Sequence, residues 1–310
     1  MPREINISVV IPVKNGERHL EPVLKTVFAQ EVDAEFEVII IDSGSKDKTK
    51  EIAGNYPVRL FEIDEQSFNH GLTRNYGISK AQGEYVVLMT ADAVPYNKHW
   101  MAKLVRNLKT DAQVAGAYSR QIPHQDARPL TRIRINRLFT ALKERRESQF
   151  INNDFYCKLS AREKHFFCNF DNVSSCIRKS VWEKIPFPRT DFAEDLEWAK
   201  RVLEAGYKIV YEPESVVYHS HEFSVLGWHK KNLVNYSKLY SLFGFCAAGN
   251  VYKLLKNFII YTLRDTFCLC KEKNDLKIIL ANIYLIPLYA FSAVLGQYRG
   301  FKANAHPKSQ

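Results

Sequence analysis

An α/β fold built on a parallel sheet is predicted by three observations: short β-branched apolar runs, helical stretches between them, and polar, chemistry-bearing residues directly after the runs. Residues 7–13 (ISVVIPV), 36–41 (FEVIII) and 85–89 (YVVLM) have the continuous hydrophobicity of strands covered on both faces. Stretches 18–30 and 46–55 supply the intervening helices, the second with Ser45 as its expected N-cap. After Gly206, residues 208–211 read as a further strand and 216–221 as an extended segment. The strongly basic stretch 128–146 is expected to form an exposed helix or a mobile flap.

Size and charge bound the rest. A chain of 310 residues suits one enlarged α/β unit with a C-terminal extension, burying roughly three quarters of its unfolded surface. With 46% apolar and 25% charged residues it is neither disordered nor a polytopic membrane protein. The net charge of +10 is concentrated in residues 225–310, where twelve Lys/Arg face only Asp265, Glu272 and Asp275. Such a block suits anionic lipid or a phosphorylated acceptor. Nothing N-terminal has the build of a nucleic-acid module, so nucleic acid is not an expected partner. The opening MPREIN runs straight into a strand pattern and lacks the form of a signal peptide, so a cytoplasmic location is expected. The six cysteines show no CxxC pair and are expected to be buried free thiols.

In parallel sheets ligands gather at the carboxyl ends of strands. Here those ends are followed by Lys14-Asn15-Gly16, Asp42-Ser43-Gly44-Ser45 and Thr90-Ala91-Asp92-Ala93. Asp42 is placed either to accept hydrogen bonds from a nucleobase or ribose or to cap the following helix. Asp92 offers oxygen to a hard cation such as Mg²⁺ or Mn²⁺, or serves as a turn residue before Pro95. The stretch 191–204 (DFAEDLEWAKRVLE) opens acidic and closes basic, as the helix dipole favours by itself. It also crowds Glu194, Asp195 and Glu197 beside Trp198, which raises proton affinity as a general base requires. Asp195 is the expected base, with Glu194 beside it. His219 and His221 alternate, so on an extended segment they share a face and either completes a metal site with Asp92, or both simply line a polar strand edge.

Four segments together resemble the family-2 glycosyltransferases, and within them the bacterial rhamnosyltransferase-like group: VVIPVKNGERHLEPVLKTVFAQ, FEVIIIDSGSKDKT, FNHGLTRNYGISKAQGEYVVLMTADAVP and PFPRTDFAEDLEWAKRVLEAGYKIVYEPESVVYHSH. The resemblance implies a GT-A fold in residues 1–224, a Rossmann-like nucleotide half (1–122) fused to an acceptor half (123–224). It implies an inverting transfer of a sugar, L-rhamnose from dTDP-L-rhamnose in this group, to a glycan or lipid-linked glycan of a bacterial surface polysaccharide. Pro12, Val13, Asn15, Asp42, Ser43, Gly71 and Arg74 match nucleotide-contacting positions. Asp92 matches the last acid of the DxD metal motif, Asp195 the base of the ED pair, and His219 the downstream metal-binding histidine. Arg120, Gln121, Trp198 and His221 are the expected acceptor-side contacts.

One position departs from the pattern. Where many relatives have DxD, this chain has Thr90-Ala91-Asp92, so the first acidic ligand is absent. Metal independence therefore stays open, with Arg74 then carrying more of the diphosphate charge. Uridine-diphosphate hexoses or N-acetylhexosamines are the alternative donors, and a non-catalytic nucleotide-sugar or glycan-binding module is the alternative class. A nucleotidyltransferase would want a Gly-rich basic phosphate loop that KNGER does not supply.

The segment 225–310 is expected to be a basic, aromatic, mostly helical extension. Within it, 278–298 carries no charge for 21 residues but contains Pro287, Asn282, Ser292 and Gln297. Its length allows a membrane span, and its polar residues favour a membrane-surface contact or a packed core or oligomer helix. A peripheral contact at the inner face of the cell membrane follows from that reading.

Overall fold

The computed structural model describes residues 5–150, 153–190, 192–271 and 276–305, so Asp191 of the acidic stretch lies outside the described residues. The strands are β1 (Ile5–Val13), β2 (Glu35–Asp42), β3 (Val58–Glu62), β4 (Tyr85–Met89), β5 (Val94–Pro95), β6 (Val114–Ile122), β7 (Arg146–Gln149), β8 (Ser174–Arg178) and β9 (Lys208–Tyr218). They form one sheet in the order β3-β2-β1-β4-β8-β6-β9-β5, with β7 also on β9.

The first half of that order is the expected parallel arrangement: β1 pairs in parallel with β2 and β4, and β2 with β3. Helices α1 (Leu20–Phe28), α2 (Thr49–Gly54) and α3 (His70–Lys80) provide the crossovers. From β8 onward the sheet is mixed, because β8 runs antiparallel to both β4 and β6. The apolar runs are buried on both faces: Val9, Ile11, Val38, Ile40 and Val87 are fully enclosed, and α4 (Trp100–Thr110) packs Trp100 and Leu104 into the same core. Stretch 216–221 is not a separate extended segment. β9 continues through Pro213, with a register shift that carries pairing from Ser119–Glu212 to Arg120–Val216.

The basic stretch 128–146 is neither exposed helix nor flap throughout. It forms the short α5 (Pro129–Ile135), whose Leu130 and Ile133 are buried, and then the start of β7. The remaining helices are α6 (Asn153–Lys158), α7 (Ala161–Phe167), α8 (Lys179–Trp182), α9 (Glu194–Glu204), α10 (Val225–Phe243), α11 (Val251–Lys271), α12 (Leu276–Ile283) and α13 (Leu285–Ala305). Of the cysteines, Cys168 and Cys176 are buried, whereas Cys157 and Cys270 are exposed, because each sits on a solvent-facing helix side.

The chain groups into two compact units: 1–122, 139–156 and 168–219, which hold the whole sheet, and 123–138, 157–167 and 220–310. In the second unit α13 lies against α10 at close range. A Cβ on Gly296 would come within 2.6 Å of the His229 carbonyl, and one on Gly300 within 2.5 Å of the Leu233 carbonyl. Arg134 of α5 stacks over Trp228 at 4.7 Å and Tyr289 at 4.1 Å, and Arg137 pairs with Asp265. The uncharged run 278–298 is therefore broken between two helices, and α13 buries Ile286, Ala290 and Val294. Among the described residues no single helix is long and apolar enough to cross a membrane. The pair α12–α13 has the length and composition but is bent by 41°.

Candidate active site

The first unit brings most of the predicted residues to the carboxyl ends of its strands. Asp42 ends β2 and is fully buried, accepting the backbone N–H of Ser45 at 3.0 Å and also the Ser45 hydroxyl. Ser45 is thus not a helix cap, since α2 starts only at Thr49, where Asp47 takes the Thr49 N–H at 3.0 Å. Instead the Ser45 hydroxyl also accepts from the Asn15 N–H at 2.8 Å, and Asn15 Oδ1 accepts from Lys46 N at 2.9 Å. Asn15 has φ of 50°, a conformation that asparagine tolerates better than most residues, so the loop after β1 is clasped to the loop after β2. Ser43 is enclosed, with its hydroxyl 2.9 Å from the Val13 carbonyl, and Pro12 pairs with Ile41.

Gly71 and Arg74 face α9. A Cβ at Gly71 would lie 2.0 Å from the Pro188 carbonyl oxygen, so only glycine lets α3 approach the segment before α9 so closely. Asn75 secures the same segment, donating to the Phe187 carbonyl at 2.9 Å and accepting from Trp182 Nε1 at 2.7 Å. Arg74 is buried and ion-paired with Glu194 at 2.9 Å. Here the guanidinium serves the buried Glu194, which would otherwise be an uncompensated charge.

α9 starts after Ala193, whose φ of 56° is left-handed. Its first turn presents Glu194 and Asp195 to the loop before β8. Asn172 donates its backbone N–H to Asp195 Oδ2 at 3.1 Å and its side-chain amide to Glu194 Oε1 at 3.2 Å. Burial, then the Glu194 and Asp171 charges, push the Asp195 carboxyl well above the usual carboxylate range, with the Asn172 N–H and Arg74 opposing. Glu197 is not part of this cluster, because it turns to Arg201 one helical turn on, at 2.5 Å. Its place is taken by Asp171 and Asn172, which sequence reading missed. The Asp-Asn pair directly before the β8 run was the only signal for them.

Asp171 links this cluster to the histidine. Gln121 of β6 donates its amide to Asp171 Oδ2 at 2.7 Å, and its Oε1 lies 2.9 Å from His219 Nδ1. The carboxylate can only accept, so the Gln121 oxygen must face the ring and Nδ1 carries the proton. His219 Nε2 is thereby left with its lone pair toward Asp92, 3.8 Å from Oδ2. The backbone explains the pair: β5 and β9 align Val94 with Tyr218, so Asp92 and His219 flank the same short ladder. A carboxylate oxygen and an imidazole nitrogen with its other nitrogen anchored fit a hard or borderline divalent cation. His221 is exposed and lies in the second unit.

Two residues expected on the acceptor side are enclosed. Trp198 is fully buried between Phe170 and Phe187, with its indole N–H on the Ile185 carbonyl at 2.8 Å, so it is a core residue. Gln121 is buried with both ends of its amide engaged. Arg120 is half-buried on β6, and its Nε is enclosed without a hydrogen-bond partner.

A mixed sheet whose parallel half ends in clasped polar loops and whose other half carries an acid pair on a helix start is the architecture of a GT-A domain. The chain belongs to the family described as Glycosyl transferase family 2, which its residues 8–168 match. It is 33% identical over 207 residues to the O-antigen chain rhamnosyltransferase WbaN of Salmonella anatum, covering 64% of this chain and 60% of that protein. It is 31% identical over 224 residues to the O-antigen chain rhamnosyltransferase RfbN of Salmonella typhimurium strain LT2, covering 71% and 68% respectively. The fold is similar to that of the mannosyltransferase PcManGT from Pyrobaculum calidifontis, solved with GDP-Man and Mn2+, with a TM-score of 0.60 at 18% identity over 100% of this chain and 92% of that one. It is also similar to that of S. aureus TarS in complex with UDP-GlcNAc, with a TM-score of 0.51 at 15% identity over 95% and 92%.

Proposed function

We propose that the chain is an inverting glycosyltransferase that moves L-rhamnose from dTDP-L-rhamnose to a hydroxyl of a glycan or lipid-linked glycan in surface-polysaccharide synthesis. The observation that carries the reading is the Asp195 carboxyl, held proton-avid beside Glu194 and Asp171 at the strand ends of a GT-A sheet. Likeness to WbaN and RfbN, each named as an O-antigen chain rhamnosyltransferase, supports the rhamnosyl donor.

In this mechanism Asp195 takes the proton of the acceptor hydroxyl as that oxygen bonds to the anomeric carbon from the face opposite the diphosphate. The bond from the anomeric carbon to the diphosphate oxygen breaks, its electron pair leaves with the nucleoside diphosphate, and the configuration inverts. The clasped loops around Asn15 and Asp42 hold the nucleoside, and the Arg74–Glu194 pair fixes the first turn of α9 so that Asp195 keeps its aim. Asp92 and His219 would hold a divalent cation, Mg²⁺ or Mn²⁺, which supplies charge compensation to the leaving diphosphate. A peripheral contact of 225–310 with the inner face of the cell membrane would bring the enzyme to a lipid-linked acceptor.

The test is a donor screen that reads nucleotide release from dTDP-rhamnose, UDP-glucose, UDP-galactose and UDP-N-acetylglucosamine, with and without EDTA. Release from dTDP-rhamnose above the others is expected. Preference for a UDP-sugar would replace the donor, full activity in EDTA would remove the cation, and no release from any donor would remove the enzyme reading.

A further inference from the structure

Helix α11 of the second unit leaves one face uncovered. Val251, Leu255, Ile259, Leu263 and Phe267 recur every four residues and are all between 53% and 66% exposed. In a helix of 3.6 residues per turn such a row drifts about 40° at each step, so it spreads into a band rather than an edge. Tyr252 and Ile260 widen the band, and Leu276, Leu280 and Tyr284, exposed at 60% or more, continue its character onto and just past α12.

This exposure does not come from a loosely held helix. α11 has its own inner side, where Leu254 and Leu269 are buried, Phe258 meets Phe291 edge-on at 6.1 Å and Asp265 pairs with Arg137. The outward band is apolar surface beyond what the unit's packing uses. Patches of that size on a folded chain mark contact surfaces.

The charges around the band say what it contacts. Lys253, Lys256, Arg264 and Lys271 are exposed on α11, and Lys277 is exposed on α12. Asp265, the one acid on α11, is already in an ion pair. A second copy of this chain, related by two-fold symmetry, would bring that basic rim against itself. Protein interfaces in general are also depleted in lysine. An anionic lipid surface accepts both features: apolar side chains enter the boundary between headgroups and acyl chains, while lysines reach the phosphates.

We propose that the outer face of α11, continued by α12, is a docking surface for an anionic membrane. This gives the peripheral contact a definite location: of the uncharged run 278–298 only the first part, 278–284, shares in it, and the rest lies in α13. The surface rests on its own residues and does not depend on which sugar is transferred.

The experiment is flotation of the full chain with phosphatidylcholine vesicles, with and without phosphatidylglycerol. Binding to the anionic vesicles is expected, at least about tenfold above the neutral ones. The triple variant Leu255→Ser, Leu263→Ser, Phe267→Ser should lose about tenfold or more of that binding. The double variant Lys253→Glu, Lys256→Glu should lose the preference for anionic vesicles. Nucleotide release from dTDP-rhamnose in vesicle-free solution, read on the same samples, should be unchanged, which separates failure of docking from failure of the enzyme reading. No flotation of the unmodified chain, or equal flotation of the triple variant, would overturn the proposal. So would sedimentation showing a dimer that the triple variant dissolves in the absence of vesicle binding, which would assign the face to a second copy.

Discussion

The Nδ1 atom of His219 lies 2.9 Å from the Oε1 atom of Gln121, and because the Gln121 amide is committed to Asp171, the ring presents Nε2 to Asp92. A buried glutamine thus chooses the tautomer of the histidine expected to hold the cation.

Gln121→Ala removes that anchor without touching either ligand. The concentration of Mn²⁺ needed for half-maximal nucleotide release should rise by about 10- to 100-fold, with most of kcat restored at saturating metal. A metal titration of donor hydrolysis checks this. A fall in kcat with unchanged metal dependence would mean that Gln121 acts elsewhere.

Asp195→Asn should lower transfer by about 10²- to 10⁴-fold while donor binding by calorimetry stays near that of the parent. Stability should move the other way. The folded state raises the Asp195 pKa, so ionising that carboxyl weakens folding as pH climbs from the ordinary carboxylate range through the raised value. A neutral amide removes the penalty, and the melting temperature at neutral pH should hold or rise.

Asp171→Asn takes one negative charge from beside Asp195. The acid limb of the pH–rate profile should shift to lower pH, because Asp195 then ionises more easily. The Mn²⁺ concentration for half-maximal release should also rise in this variant, since an amide at 171 can donate as well as accept and no longer fixes which way Gln121 faces.

Gly71→Ala places a methyl 2.0 Å from the Pro188 carbonyl oxygen, a backbone atom that cannot swing aside. Separation of α3 from the start of α9 should cost about 1–3 kcal/mol, seen as a lowered urea midpoint, and should disturb the Arg74–Glu194 pair enough to depress turnover.

Trp198→Ala should act on stability rather than on the acceptor. The enclosed ring between Phe170 and Phe187 makes a loss of about 3–5 kcal/mol the expected outcome by chemical denaturation. A changed acceptor KM in a variant of unchanged stability would restore the acceptor role that its position beside Asp195 suggests.

The parallel half of the fold was legible because β1, β2 and β4 are enclosed on both faces and advertise it as unbroken apolar runs. Asp42, Asp92, Asp195 and His219 were legible as well, since each ends a strand, starts a helix or flanks a ladder. The mixed half was not, because β7 (RESQ) and β8 (SSCIR) carry too little apolar character to read as strands. Asp171 and Asn172 escaped for a related reason, and Gln121 was read as an acceptor contact rather than as the partner of Asp171 and His219. Their bonds join residues distant in sequence, Asp171 to Gln121 beside the antiparallel β6–β8 pair and Asn172 to the start of α9, which local pattern does not encode. Glu197 misled for the opposite reason: four positions of helix put it on the side of Arg201.

β5 is two residues long, Val94 and Pro95, paired with Tyr218 and Val217. Asp92 precedes this ladder by two positions and His219 follows it by one, so the gap between the two ligand atoms is a count of residues as much as a matter of side-chain chemistry. A single inserted residue between 92 and 94 would swing one ligand off its partner without changing the identity of any site residue. Sequence drift in this region should therefore run through substitutions, and length variants should be tolerated only where no such count is kept.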